Sequence, residues 1–227
     1  MKTSNIILIS FLVFLFGGIT LLYIGSRYYN DGNDKFNFIT KVDKIDSFSV
    51  VVAEPGAYLV VKNGKESSIS QSYKKDIVSD FAPFEVRNDT LFVSAVKSRK
   101  DGEWFIVPEV YCKNVKSIIG KEQTNVSLKN YQADSLSVKL NKSDFHWDFN
   151  KPVYVNIESK NSYLHLNGNN IEKINLQLDK TKVYLNSKKG AKILSGSLTN
   201  DSYIDGVIVD GTINLNLDNS SRMYFRN

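Results

Sequence analysis

The chain has few of the residues that build disulfides and metal sites. Its 227 residues include one cysteine, two histidines and four prolines. A lone Cys112 excludes an internal disulfide. Two histidines and one cysteine are too few for an ordinary four-ligand structural zinc site. We therefore expect no catalytic residue, no cofactor and no metal ion.

A concentrated block of charge is also missing. The chain carries 29 Lys and Arg against 24 Asp and Glu, a net charge of +5, and the lysines are scattered. A nucleic-acid footprint needs a basic stripe with aromatic residues or a recognisable module. The sequence therefore predicts no nucleic-acid partner.

A repeat is present between residues 136 and 225. Apolar residues return every 19 to 21 positions and alternate with other residues, which is the period of a half-buried strand. The first strand of each copy begins with one column: Leu136, Val155, Ile174, Leu194 and Ile213. The second strand supplies two more: Phe145, Leu164, Val183, Ile204 and Met223, then Trp147, Leu166, Leu185, Gly206 and Phe225. Asn-, Asp- and Ser-rich turns separate the two strands.

A period near 20 with short strands predicts a solenoid, because one copy cannot bury its apolar face alone. We predict an all-β fold, a right-handed parallel β-helix whose columns form ladders about 4.8 Å apart. The alternatives are a leucine-rich repeat, whose consensus is absent, and an antiparallel sandwich, which has no reason to keep this period. The β domain spans 36–227, with regular coils over 115–227. Residues 36–110 are either the first coils or a cap.

The N-terminus contains the longest apolar run. After a short tail, 1–5, the run 6–24 has 19 uncharged residues. At about 1.5 Å per residue, a helix of this length nearly crosses a hydrocarbon core of about 30 Å. We predict a transmembrane helix and a linker over 25–35. A cleaved signal peptide is the alternative. Positive charges before and after the apolar run are nearly balanced, so they do not decide the orientation of the helix in the membrane. We predict that the C-terminal domain lies in the periplasm or outside the cell.

The order of the strands resembles the head GIN domain family, a family of candidate bacterial auto-transporter adhesins. Residues 45–50 (IDSFSV) resemble its opening strand, 88–93 (NDTLFV) resemble a later strand entry, and 107–118 resemble its lead-in to the repeats. The likeness covers roughly 36–227. It implies a β-helix that faces the bacterial envelope, and it transfers no catalytic residues.

One outward position of the second strand carries the candidate binding residues. After Ser127 this position is occupied by His146, His165, Tyr184, Asp205 and Tyr224. If the register holds, the two histidines are stacked neighbours, able to hold a metal or a ligand. The tyrosines, with Tyr154 and Tyr163 nearby, predict a flat platform for a sugar or a protein. Ordinary β-propensity on a pleated face explains the same residues without a ligand.

Three acidic residues raise the alternative of a polysaccharide-cleaving enzyme, which needs two carboxylates at a set separation. They are Asp144, Asp148 and Glu158, and turn or solvated roles also explain them. We predict a membrane-anchored, non-catalytic binding, adhesion or structural module, whose partner is a surface glycan or an envelope protein. The alternatives are the glycan-active enzyme and a tethered partner of an envelope complex.

Overall fold

The computed structural model describes residues 3–31, 38–74, 81–96, 107–149, 151, 153–168, 171–187, 190–207 and 209–225. This part of the chain forms one N-terminal helix, α1 (Thr3–Asp31), followed by nineteen β-strands. The class predicted from the repeat, an all-β solenoid after an apolar helix, is confirmed.

Helix α1 is apolar over Ile6–Ser26, which has a mean hydropathy of 2.6 and no contact that buries it. A helix of this kind fits a single-pass anchor or a signal sequence. It continues to Asp31, beyond the point where the apolar run ends. Polar residues can extend a helix because the backbone hydrogen bonds do not depend on side-chain polarity.

The regular coils form a β-solenoid of about five turns. Each coil has two strands joined by a tight turn: β10 (Ser135–Asn141) and β11 (Asp144–Phe149), β12 (Tyr154–Lys160) and β13 (Tyr163–Gly168), β14 (Ile171–Asp179) and β15 (Lys182–Ser187), β16 (Ala191–Thr199) and β17 (Tyr203–Val207), β18 (Val209–Leu217) and β19 (Arg222–Phe225). Strands of successive coils pair in parallel, and Leu136, Val155, Ile174, Leu194 and Ile213 are successive partners. This pairing decides against the antiparallel sandwich for the regular coils.

Earlier strands add parallel layers to the same two sheets. They are β2 (Val50–Ala53), β3 (Tyr58–Asn63), β6 (Thr90–Val93), β7 (Glu109–Cys112), β8 (Ser117–Gly120) and β9 (Asn125–Leu128). Their order in space differs from their order in the chain, because β2 lies between β6 and β8 and β3 lies between β7 and β9. Strand β7 therefore pairs with β3, which precedes it by about 50 residues in the chain, and lies farther from the regular coils.

Three antiparallel strands close the N-terminal end of the stack. They are β1 (Phe38–Lys44), β4 (Ser68–Lys74) and β5 (Phe84–Arg87). Sheet A has ten strands in the order β1-β4-β7-β3-β9-β11-β13-β15-β17-β19. Sheet B has nine, in the order β18-β16-β14-β12-β10-β8-β2-β6-β5.

The core lies between the two sheets, where the inward columns meet. Trp147, Leu164 and Leu176 are fully buried. The indole Nε1–H of Trp147 donates to the backbone oxygen of Tyr131 at 3.2 Å, so burial leaves no unsatisfied donor on this ring. Gly196 stands in an apolar column because its φ is +129° and a Cβ there would lie 1.9 Å from the backbone oxygen of Leu176.

A column of small hydroxyl side chains lines the tight turns inside the coil. Its buried members are Thr124, Ser143, Ser162, Thr181, Ser202 and Ser221. The backbone N–H of Ser143 donates to Ser162 Oγ at 3.1 Å, and that of Thr181 donates to Ser202 Oγ at 3.2 Å. The hydroxyls of Ser162 and Ser202 thereby satisfy backbone groups that the turns leave out of the sheet ladder, whereas the buried Ser221 Oγ at the last turn has no hydrogen-bond partner among the described residues.

Candidate functional site

The predicted ladder lies on the outward face of sheet A. The inward neighbours Phe145 and Trp147 are buried, while the residues between and beside them face solvent. The structure places His146 between Ser127 and His165, and Tyr184 between His165 and Asp205. Parallel in-register pairing brings these side chains to the same height on successive coils.

The rings stack on one another along the ladder. His165 and Tyr184 are nearly parallel, with centroids 4.8 Å apart and an interplanar angle of 10°. His146 and His165 are 6.1 Å apart and tilted by 34°. Because the stacked faces cover each other, ring edges rather than ring faces point to solvent. The flat platform expected of the tyrosines is therefore not present at Tyr184, whose ring stacks on His165.

Tyr203 continues the row of rings, and the sequence analysis did not include it. Its centroid lies 6.1 Å from that of Tyr184 at an angle of 72°, and 5.3 Å from that of Tyr224 at 57°. Tyr203 occupies the neighbouring outward column, after Tyr163 and Lys182. We use "aromatic ladder" for His146, His165, Tyr184, Tyr203 and Tyr224.

Tyr203 supplies the next ring because the residue in register with Tyr184 is Asp205, which has no ring. The pairing of β17 with β19 then contains a β-bulge. Ile204 pairs with Met223, but Val207 pairs with Phe225, so two residues oppose Tyr224 alone. Gly206 permits this with a φ of +82°. The column that aligned Gly206 with Phe225 is thus wrong by one residue, because equal spacing cannot reveal a bulge. The 21-residue interval before Ile204 is not a signal of this bulge, because Val183 and Ile204 pair in register and the bulge follows Ile204.

A row of polar side chains runs beside the rings. Asn186 donates to Asn167 at 3.0 Å, and Asn167 donates to Asp148 at 2.9 Å. His146 Nε2 also contacts Asp148 Oδ1, at 3.1 Å. The described residues contain no group of three His, Cys, Asp or Glu side chains placed to hold a metal ion.

A pocket of about 350 Å³ opens where the stacking breaks, between Tyr184 and Tyr203. Its other lining residues are Lys182, Asp201, Ser202, Ser220 and Arg222. Burial and then the Asp205 carboxylate raise the pKa of Tyr203, so its hydroxyl stays protonated and can donate at neutral pH. Two rings at a steep angle, with cations and a carboxylate alongside, can bind a ligand that has both an apolar face and hydroxyl groups. We call this pocket the tyrosine corner.

The candidate catalytic carboxylates do not converge. Asp144 and Asp148 are both exposed on β11, four residues apart, so about 13 Å separates their Cα atoms. Glycosidase carboxyl groups lie about 5–9.5 Å apart. Glu158 is on sheet B, where it pairs with Lys139 Nζ at 2.8 Å. Tyr154, expected near the ladder, also lies on sheet B.

Sheet B carries a larger groove, of about 950 Å³, beside the tight turns. Ion pairs between neighbouring coils line it: Lys139 with Glu158, Lys142 with Glu122 at 2.9 Å, and Lys160 with Asp179 at 3.4 Å. These charges already have partners, and a ligand would have to displace them. The tyrosine corner is smaller, but its aromatic rings make it the stronger candidate.

Several solved structures are similar to this chain over most of its length, among them two candidate adhesins. A candidate adhesin from Bacteroides fragilis has a TM-score of 0.57 and 14% identity, covering 84% of this chain and 97% of its own. A candidate adhesin from Parabacteroides distasonis has a TM-score of 0.55 and 9% identity, covering 85% and 95%. At these identities the likeness shows the fold alone. No family model matches the chain, and the comparison with curated proteins gives no match.

The fold and the N-terminal helix together define a class. The chain is a β-solenoid of the kind found in these two bacterial proteins, preceded by an apolar helix long enough to cross a membrane.

Proposed function

We propose that this protein is a membrane-anchored, non-catalytic binding or adhesion module of the bacterial envelope, and that it binds a surface glycan at the aromatic ladder. The tyrosine corner is the observation that carries the proposal. It is a concave site on the outward face of sheet A, and it combines two aromatic rings with hydrogen-bonding groups of both kinds.

A sugar ring suits this corner for a physical reason. The C–H face of a pyranose is apolar and packs on an aromatic ring, while its hydroxyls need both donors and acceptors. Lys182 and Arg222 are donors, and Asp201 is an acceptor. Lys182 Nζ lies 5.5 Å from the centroid of the Tyr163 ring, which holds the lysine beside the corner.

The same proposal places the domain outside the cytoplasm, with α1 as an uncleaved anchor and residues 36–227 as a right-handed head GIN-like β-helix. The adhesin names of the two structural neighbours and the strands quoted for the family resemblance support this placement. A C-terminal alkaline phosphatase fusion should be active. A fusion that is inactive, while a C-terminal fluorescent protein glows in the cytoplasm, would contradict the orientation.

Binding is tested with the full chain in detergent micelles and polysaccharides extracted from a bacterial envelope. We expect the chain to be retained on immobilised polysaccharide and Tyr203→Ala to weaken retention by about tenfold or more, since stacking and hydrogen bonds together contribute more than about 1.4 kcal/mol. Tyr154→Ala is the control, because Tyr154 is also a solvent-facing tyrosine but lies on the other sheet. Equal effects of the two substitutions would reject the tyrosine corner.

The same incubation separates the alternatives. Released soluble sugar would favour the glycan-active enzyme, and Asp144→Asn and Asp148→Asn would then be tested. Neither retention nor release would favour a tethered partner of an envelope complex, which crosslinking in intact cells would recover with another protein.

A further inference from the structure

The two ends of the solenoid differ. At the N-terminal end, antiparallel strands cover both sheets, with β1 and β4 on sheet A and β5 on sheet B. At the other end, β18 is the edge strand of sheet B and β19 is the edge strand of sheet A. Each of these two strands is paired on one side only.

Apolar residues of the last coil are half-exposed at this edge. Ile213 is 40% exposed and Leu217 is 42% exposed. Their partners one coil earlier, Leu194 and Leu198, are fully buried in the same two columns. The difference arises because each coil buries its inward residues against the next coil, and the described residues place a neighbour on one side of this coil only.

The two strands of this edge differ in the features that keep sheet edges apart. Native edge strands are commonly short, or they contain charged residues, proline or a bulge. Strand β19 has four residues, begins with Arg222 and pairs with β17 through a bulge, whereas β18 has nine residues, one charged residue (Asp210) and neither lysine nor proline. The turn that follows it is held in place, because Asp218 accepts hydrogen bonds from the backbone N–H groups of Asn200, Ser220 and Ser221. The edge is therefore a preformed surface.

We propose that a second copy of this chain docks on this edge, end to end, through β18 and β19. A partner has to satisfy two strand edges at once, at the spacing of the two sheets. The same end of a second copy has that geometry by construction. A two-fold axis across the end pairs β18 with β18 and β19 with β19 in antiparallel fashion, and it brings both sets of half-exposed apolar residues together. The covered N-terminal end prevents head-to-tail filaments.

The contact area fits a reversible pair. Strand β18 has nine residues and is about 30 Å long, whereas β19 has four residues and is about 13 Å long. Across a width of about 20 Å, each copy would bury about 430 Å², or about 860 Å² in total, which lies in the range of weak, transient interfaces. The pair is thus a weak dimer that many copies on one surface would reinforce.

The pairing also orients the anchors. Helix α1 precedes β1, the first of the ten strands of sheet A, whereas β19 is the last. Nine spacings of about 4.8 Å place the docking end about 43 Å from β1. If α1 is an anchor, as proposed above, an end-to-end pair has its anchors at opposite outer ends and bridges two facing membranes.

Cysteine crosslinking of the full chain in detergent tests the contact. The only native cysteine, Cys112, is fully buried and gives little background. Thr212→Cys, Asn214→Cys and Asn216→Cys place one thiol each along β18. Asn175→Cys is the matched control, because it stands in the outward column of Asn214 but on β14, inside the stack. With a short bis-maleimide, we expect at least tenfold more dimer from one of the β18 variants than from Asn175→Cys.

A second measurement keeps the proposal testable if a cysteine variant folds poorly. Ile213→Lys adds a charge to the edge at a half-exposed position, and it should abolish the crosslinks while the circular dichroism spectrum stays unchanged. Crosslinks that persist in Ile213→Lys, or that form equally in Asn175→Cys, would overturn the proposal. A purified chain that stays monomeric with every β18 variant would also overturn it, and would point to a different protein at this end. Retention on polysaccharide does not depend on dimer formation, so a failure of the dimer proposal and a failure of the proposed function can be told apart.

Discussion

Thr181 offers a sharp test of how the buried hydroxyl column holds the coils together. Its Oγ1 donates to the backbone oxygen of Asp179 at 3.0 Å. Since this uses its only proton, the hydroxyl accepts from Ser159 Oγ at 3.2 Å and from the backbone N–H of Ser162 at 3.4 Å. Thr181 is fully buried, so no water replaces these bonds.

Thr181→Val keeps the shape and removes the hydroxyl. The Asp179 oxygen keeps a partner, because it also accepts from the backbone N–H of Asn161 at 2.9 Å. The Ser162 N–H and the Ser159 hydroxyl lose theirs. An orphaned buried group costs about 1–3 kcal/mol, and the serine hydroxyl can rotate, so we expect a loss of about 2 kcal/mol in the free energy of unfolding. Thr181→Ser keeps all three bonds and loses one buried methyl, at about 1 kcal/mol.

The assay is urea unfolding of the full chain in detergent, followed by the fluorescence of the buried Trp147, with midpoints and slopes compared between variants. Ser159→Ala in the Thr181→Val background should cost about 1 kcal/mol less than in the wild-type protein, because it removes the orphaned hydroxyl. If Thr181→Val were as stable as Thr181→Ser, the hydroxyl column would not contribute as argued here.

Three further predictions concern single residues. Lys180 has a φ of +50°, and the corresponding turns of the neighbouring coils have Asn161 and Asn200 at positive φ. Lys180→Asn should therefore raise the free energy of unfolding by about 0.5–1 kcal/mol, because asparagine tolerates this conformation better than lysine. Lys173→Asn, on strand β14, is the control and should not raise it. Gly196→Ala should lose about 3 kcal/mol or more in the same unfolding assay, because the new Cβ meets the Leu176 backbone. Burial raises the pKa of Tyr131 to about 12. The protonated Tyr131 hydroxyl makes its full contribution to the free energy of unfolding below pH about 10, and this contribution is lost as the pH rises from there through about 12. Between pH 8 and about 12, the free energy of unfolding should therefore fall less steeply in Tyr131→Phe than in the wild-type protein. An equal fall in the two proteins would contradict this role of Tyr131.

The aromatic ladder shows where spacing succeeds and where it fails as a guide. In parallel coils of equal length, each residue pairs with the residue one period later in the chain. The alignment of His146, His165 and Tyr184 therefore follows from their equal spacing in the sequence. The ring orientations and the contribution of Tyr203 do not, because they depend on side-chain rotamers and on a second outward column. The tyrosine corner forms where Asp205 is in register with Tyr184, so that the next ring, Tyr203, comes from the neighbouring column.

By itself, the sequence determined the period, the inward columns of the regular coils, the polar turns and the apolar helix, because each is a local pattern of one strand or one helix. Only the tertiary structure decided which strands became neighbours across long separations. Strand β2 is inserted between β6 and β8, and β3 is inserted between β7 and β9. Residues 50–53 therefore pair with 90–93 and 117–120, and residues 58–63 pair with 109–112 and 125–128. Four-residue strands with the same alternating pattern fit several neighbours equally well. Packing against the shared core selects one arrangement, and that arrangement covers the N-terminal end of the stack and leaves β18 and β19 as the edge strands.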